Sequence, residues 1–167
     1  MTFDRPDLDA ALAAHLGLQV AGGGPPCGCW ATATVPASPP WTAAAGPAGD
    51  AEGPTVPTAA ILAAVDATAR RVAWAALGEP GDAATLVETA ASVQFHRAAR
   101  GVVTARASVP CDNPISHRAD ASGTVRFSVA VDVTDAGGDR VATGSVQWLA
   151  QLPVGADDGA GAAGPQA

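Results

Sequence analysis

The strongest pattern in the chain is the strict alternation over Thr124–Thr134. Val125, Phe127, Val129, Val131 and Val133 fall on one parity, and Arg126, Ser128, Ala130 and Asp132 on the other. A period of two sends successive side chains to opposite faces, so this segment predicts a strand with one buried face. Asp135, Ala136, Gly137, Gly138 and Asp139 read as a hairpin turn, and residues 140–152 as the returning strand. Two earlier segments alternate as well. Residues 86–96 place Val87, Thr89, Ala91, Val93 and Phe95 on one face, and residues 101–109 place Val103, Ala105, Ala107 and Val109 on one face. Residues 110–123 are a polar connection.

Residues 55–77 change to a helical period. Ile61, Val65, Ala69, Val72 and Ala76 form one stripe, with Leu62, Ala73 and Leu77 beside it. Thr58 is a candidate N-cap, and Thr55 with a proline in the first turn is the alternative. Gly78, Pro80 and Gly81 stop the helix. Upstream, residues 4–17 predict a short helix, with Asp4 as cap and Leu8, Leu12 and Leu16 at spacing four. A strand beginning at residues 18–20 and a second over 27–35 follow. Residues 36–54 are a Pro-, Gly- and Ala-rich loop, and residues 154–167 a disordered tail. The order is helix, two strands, one long helix, then four strands. It predicts an α+β fold in which a long antiparallel sheet wraps one central helix.

Composition narrows the possibilities. The 167 residues are 48% apolar, and about a quarter of the chain is Ala. This suits one domain over residues 1–153 with a small-residue core. No run reaches the roughly 18 to 20 apolar residues of a membrane span. The net charge of −7 disfavours a nucleic-acid partner. The first residues lack the basic-then-apolar pattern of a secretory signal, and three Cys fit a reducing compartment, so a cytoplasmic protein is expected. Cys27, Cys29 and Cys111 read as small packing groups, and no metal is expected. His15 and His96 read as structural or surface residues. Trp74 lies on the helix face away from Ile61.

Asp66 is the outstanding polar residue of the long helix. It stands beside Val65, with Arg70 at i+4 as an available ion-pair partner. Arg97, Arg100 and Arg106 gather around the bend between two strands. On residues alone, each of these is also consistent with a solvated face.

The segment over residues 90–107, with Val93, Phe95, Arg97, Ala99, Gly101, Ala105 and Ala107, resembles the third and fourth strands of the PaaI-like acyl-CoA thioesterases. The stretch from Val129 to Ala142 resembles the hairpin of that family, and Leu16, Gly17, Leu18, Gln19 and Val20 its opening strand. The resemblance implies the hotdog fold. It also implies hydrolysis of an acyl thioester, with coenzyme A present only as part of the substrate and no separate cofactor. The family motif H-G-G-x-x-x-x-L-x-D aligns on Asp66, which takes the catalytic carboxylate position. Pro57 then stands for His, and Thr58 and Ala59 for the Gly pair. The amides of Thr58 and Ala59 take the oxyanion-holding role, the hydroxyls of Thr58 and Thr68 could orient a water, and Arg97, Arg100 and Arg106 would meet the phosphates of coenzyme A. Asp66 and the Ala59 amide lie about 10 Å apart along a helix, too far for one carbonyl to touch both. A catalytic reading therefore expects a homodimer, or a dimer of dimers, with carboxylate and amides from two subunits. The alternative is a noncatalytic hotdog module for ligand binding or assembly, favoured by Pro57, Thr58 and Ala59 at the helix start. Asp112 to His117 resemble a hydratase dyad in composition, but their spacing reads as a turn.

Overall fold

The computed structural model describes residues 19–22, 29–35, 55–77, 84–109, 115 and 119–153. The expected helix over 4–17, the loop over 36–54, the tail, Cys27, Cys111 and most of 110–118 lie outside the described residues. The elements are β1 (Gln19–Gly22), β2 (Cys29–Val35), α1 (Thr58–Leu77), β3 (Thr85–Phe95), β4 (Val103–Val109), β5 (Thr124–Thr134) and β6 (Arg140–Gln151). The strands form one sheet in the order β1-β2-β4-β5-β6-β3, with every neighbouring pair antiparallel. β3 precedes β4 in the chain but lies at the far edge of the sheet. Among the described residues no helix is long and apolar enough to cross a membrane.

The helix packs mainly across β2 and β4. Small side chains make that contact close. Ala31 pairs with Ala107, Ala33 with Ala105 and Val35 with Val103, and all six are fully buried. Ala60, Ala64, Ala69 and Ala73 are buried on α1. Alanine also has the highest helix propensity, and no Gly or Pro interrupts α1, so local preference and packing agree.

The stripe differs from the sequence reading at Leu62, which is exposed, while Ala64 and Thr68 are buried. Thr68 tolerates full burial because its Oγ1 donates to the carbonyls of Ala64 (2.6 Å) and Val65 (3.1 Å) within its own helix. That hydroxyl faces the core and is not placed to orient a substrate water. The helix start also differs. Amides of Ala60 and Ile61 donate to the carbonyl of Pro57, so Pro57 holds the cap position and Thr58 is the first helical residue. Thr55 instead bridges to Arg100.

The largest departure is in β3. A bulge between Glu88 and Ala90 shifts the pairing with β6 by one residue. Ala91, Val93 and Phe95 face the helix as alternation predicts, opposite Val146, Gly144 and Ala142. Before the bulge the parity reverses. Leu86 and Glu88 now face the helix, opposite Ala150 and Trp148, and Val87 turns to the outer face. An extra residue in one strand of a pair does this, and strict period-two reading cannot see it.

At Gly144 α1 comes close to β6. A Cβ there would lie 3.2 Å from Cγ1 of Val65. Gly144→Ala is expected to destabilise the fold by about 1 to 3 kcal/mol through overpacking. In a urea titration, Gly144→Ala combined with Val65→Ala should be less destabilised than the sum of the single changes, because the second removes the obstructing methyl.

Candidate functional site

Two places on α1 carry chemistry. The first is its N-terminus. A proline at the cap has no side-chain acceptor, so it cannot cover the first-turn amides as Ser, Thr or Asp would. The amides of Ala60 and Ile61 bond to the Pro57 carbonyl, which leaves the first two N–H groups, of Thr58 and Ala59, without a partner inside the helix, and the helix dipole adds positive potential there. Val56 is held by its amide donating to the carbonyl of Ala99 at 2.9 Å. This contact sets the helix start against the loop after β3. Between them lies a cavity of about 470 Å³, walled by residues 55–58 and Ile61 on one side and residues 95–99 on the other. Thr58 lines the cavity; Ala59 is exposed outside its wall. The arrangement is suited to an anionic oxygen.

The second place is around Asp66, eight residues further along, about 12 Å on a helix. Nη2 of Arg70 donates to both carboxylate oxygens of Asp66, at 3.0 and 3.1 Å. The Arg70 guanidinium lies 5.6 Å from the centroid of the Trp148 ring, a cation–π contact. Trp148 is 2% exposed, and its Nε1 is buried with no hydrogen-bond partner among the described residues. Glu88, turned inward by the bulge, sits opposite Trp148 on the helix side of the sheet. Partial burial holds the Glu88 carboxyl above the usual glutamate value. The neighbouring Asp66 carboxyl adds to the effect, and the Arg70 charge opposes it. Asp66 itself keeps 39% of its side chain exposed. The i+4 ion pair expected from sequence is present, and a second carboxyl stands beside it. Sequence reasoning missed Glu88 because alternation without the bulge assigns it to the outer face.

The three arginines do not gather. Arg97 borders the cavity, but its guanidinium is held by Asp135 (2.9 Å) and Asp139 (2.7 Å) of the β5–β6 hairpin. Asp135 also closes that hairpin by accepting from the amides of Gly137 and Asp139. Arg100 bridges to Thr55 at the cavity rim. Arg106 lies on the sheet face turned away from α1, in register with Asp132, whose carboxylate is held by Arg140 at 3.2 Å. Among the described residues no group of three His, Cys, Asp or Glu is placed to hold a metal ion.

No family model matches the sequence, and no curated protein matches it. The fold, however, is shared with solved structures. A thioesterase from Haemophilus influenzae is 16% identical, with 94% of this chain and 96% of that one covered and a TM-score of 0.59. A thioesterase family protein from Silicibacter pomeroyi is 15% identical, covering 88% and 95%, with a TM-score of 0.60. The PaaI protein from the phenylacetic acid degradation operon of E. coli is 14% identical, covering 86% and 90%, with a TM-score of 0.55. With its antiparallel sheet wrapped on one central helix, the chain has the hotdog fold that these proteins share.

Proposed function

We propose that the protein hydrolyses an acyl thioester, with coenzyme A thioesters as first candidates, and that it does so as a homodimer. The observation that carries this reading is the pairing of two features on one helix. An accessible carboxylate, Asp66, and an N-terminus without a side-chain cap open to solvent about 12 Å apart. The thioesterase names of proteins with the same fold support it at the level of the fold.

The free edge of β3 supplies the route to a dimer. β3 runs 11 residues, pairs only with β6 among the described strands, and exposes Val87 and Phe95. A long unpaired edge is a template for another strand. Two copies of β3 pairing antiparallel about a two-fold axis reverse the strand in the partner. The end bearing Glu88 and Asp66 then lies beside the partner's end, which leads into the cavity at residues 95–99. Carboxylate and amides thus converge from two subunits, which one subunit cannot achieve.

In the reaction, Asp66 takes a proton from water and the hydroxide adds to the thioester carbonyl carbon. The tetrahedral oxyanion is held by the Thr58 and Ala59 amides at the positive end of the partner subunit's helix. Its collapse breaks the C–S bond, and the thiolate leaves and takes up the proton. In this reading a substrate phosphate falls to Arg100, whose backbone pairs with Thr55 in the cavity wall, since Arg97 is held by Asp135 and Asp139 and Arg106 faces away.

The test is a panel of acyl-CoA thioesters with the wild-type protein and Asp66→Ala. Turnover is expected to fall about 10²- to 10⁴-fold in the variant. Turnover unchanged in Asp66→Ala rejects Asp66 as the base, and a monomer by light scattering at micromolar concentration rejects the two-subunit site. A second reading, a binding module without turnover, is favoured by the side chain of Thr58 in the cavity wall, where it narrows the approach to the amides. Thioester binding by calorimetry with no hydrolysis supports it.

A further inference from the structure

We propose that Arg70 is a positioning residue for Asp66: its guanidinium, laid over the Trp148 ring, holds the carboxylate in one orientation with its open side to solvent. This inference deepens the thioesterase reading and rests on it for its catalytic part.

An i, i+4 ion pair on a helix surface is ordinarily loose, because water screens the charges and both side chains keep other rotamers. This pair has a third member. Nη2 of Arg70 donates to Oδ1 of Asp66 at 3.0 Å and to Oδ2 at 3.1 Å, so the nitrogen sits evenly between the two oxygens. The same guanidinium lies 5.6 Å from the centroid of the Trp148 ring. Trp148 is fully packed in β6, between Phe127 of β5 and Glu88 of β3. The helix lies mainly over β2 and β4, so Trp148 and Arg70 together reach from β6 to the helix. A planar cation resting on a fixed indole has few other positions open to it. The orientation of Asp66 is thereby set from the sheet as well as from its own helix.

The arrangement leaves the carboxylate usable. An ionised carboxylate has about four acceptor sites, two on each oxygen. Nη2 takes one on each oxygen. Asp66 is also the more open partner, with 39% of its side chain exposed against 23% for Arg70. A water can therefore reach the remaining acceptor sites at the hydrogen-bond distance a general base needs. Without this hold, the Asp66 side chain turns between rotamers, and only some of them face a thioester held by the partner subunit's helix start. A catalytic group displaced by about 1 Å can cost on the order of 10²-fold in rate. Lysine does not replace arginine here. Its ammonium is a point charge on a flexible stem and has no flat face to rest on the ring.

The first test needs no substrate. A guanidinium fixed between a carboxylate and a ring turns slowly about its Nε–Cζ bond, and its Nη nitrogens give separate ¹⁵N signals; a free guanidinium averages them. Arg70, assigned by the signals lost in Arg70→Lys, should show separate Nη signals in the wild-type protein. They should average in Asp66→Ala and in folded Trp148→Leu. An averaged signal in the wild type overturns the fixed pair, and separate signals in Trp148→Leu overturn the part given to the ring.

The second test uses the thioester that the panel identifies. Arg70→Met keeps an apolar stem against Trp148 and removes the guanidinium. With each variant assayed as folded protein, it should lower kcat about 10- to 10²-fold with KM little changed. Arg70→Lys should recover only a minor part of that loss. A kcat unchanged in Arg70→Met, or fully restored in Arg70→Lys, overturns the positioning role. The two readings fail separately. Absence of turnover from wild type rejects the thioesterase reading, and the Nη signals then decide the fixed pair alone. Turnover lost in Asp66→Ala but kept in Arg70→Met retains the thioesterase and rejects Arg70.

Discussion

Mixing two inactive variants is expected to restore about a quarter of wild-type activity, because a two-fold dimer places each site across both subunits. The variants are Asp66→Ala, which removes the carboxylate, and Ala59→Pro, which removes one first-turn amide. Proline is tolerated in the first turn of a helix, where the N–H has no helical partner. Ala59 is exposed, so the ring meets no packed neighbour. Each homodimer carries two defective sites. In a heterodimer, one site combines both defects and the other combines an intact Asp66 with an intact helix start. Random reassembly of equal amounts makes half the dimers mixed, each with one working site. Recovery of that size after co-unfolding and refolding, measured on the best thioester, supports a shared site. Recovery of none, with dimers confirmed by light scattering, places carboxylate and amides in one subunit or removes the Ala59 amide from the chemistry. The geometry favours the first result. Asp66 lies about 12 Å from Thr58 on its own helix, and β3 offers an 11-residue edge that is unpaired among the described strands.

The architecture was legible in the sequence where one physical rule acts alone. β5 alternates without interruption from Thr124 to Thr134, and its bounds match the pattern because one face meets the core and the other meets solvent. The helix is equally plain, since Ala, Leu and Arg favour it and no Gly or Pro breaks it. The reading failed where two rules compete. In β3, one bulge changes which residues face the helix, and period two carries no mark of it. Leu62 sits beside the apolar stripe by angle, and Ala69 and Ala73 on the same side of α1 are buried, yet near the start of the helix that side is not covered and Leu62 stays exposed. Thr68 is polar in sequence but buries itself by bonding to its own helix. Asp66 and its Arg70 partner were visible as an i, i+4 pair. Glu88 and Trp148 were not, because they meet that pair only through strand register, which depends on contacts between distant segments. The arginines fared similarly: proximity in sequence around the β3–β4 bend suggested one cluster. Strand pleat sends Arg106 to the outer face, and hairpin carboxylates claim Arg97.

Trp148→Ala is expected to produce the largest loss of stability of any substitution at the site, about 3 to 5 kcal/mol. Trp148 is the largest side chain in the core, and it faces α1 between Phe127 and Glu88. The surrounding wall is built largely from Ala and Val, which are too short to fill the space that the indole leaves. Removing it leaves a cavity, takes away the surface beneath Arg70, and releases the restraint on Asp66. The melting temperature should fall by roughly 10 °C or more for a domain of this size. Trp148→Phe separates packing from hydrogen bonding. The indole Nε1 has no hydrogen-bond partner among the described residues. Phe removes a buried donor that bonds to nothing there, and this offsets part of the lost volume. It also keeps a ring face for the guanidinium, though a weaker one than indole. Trp148→Phe should therefore stay within about 1.5 kcal/mol of wild type in a urea titration. If it is as damaging as Trp148→Ala, the indole N–H makes a bond that matters, and Glu88, its register partner, is the first acceptor to test.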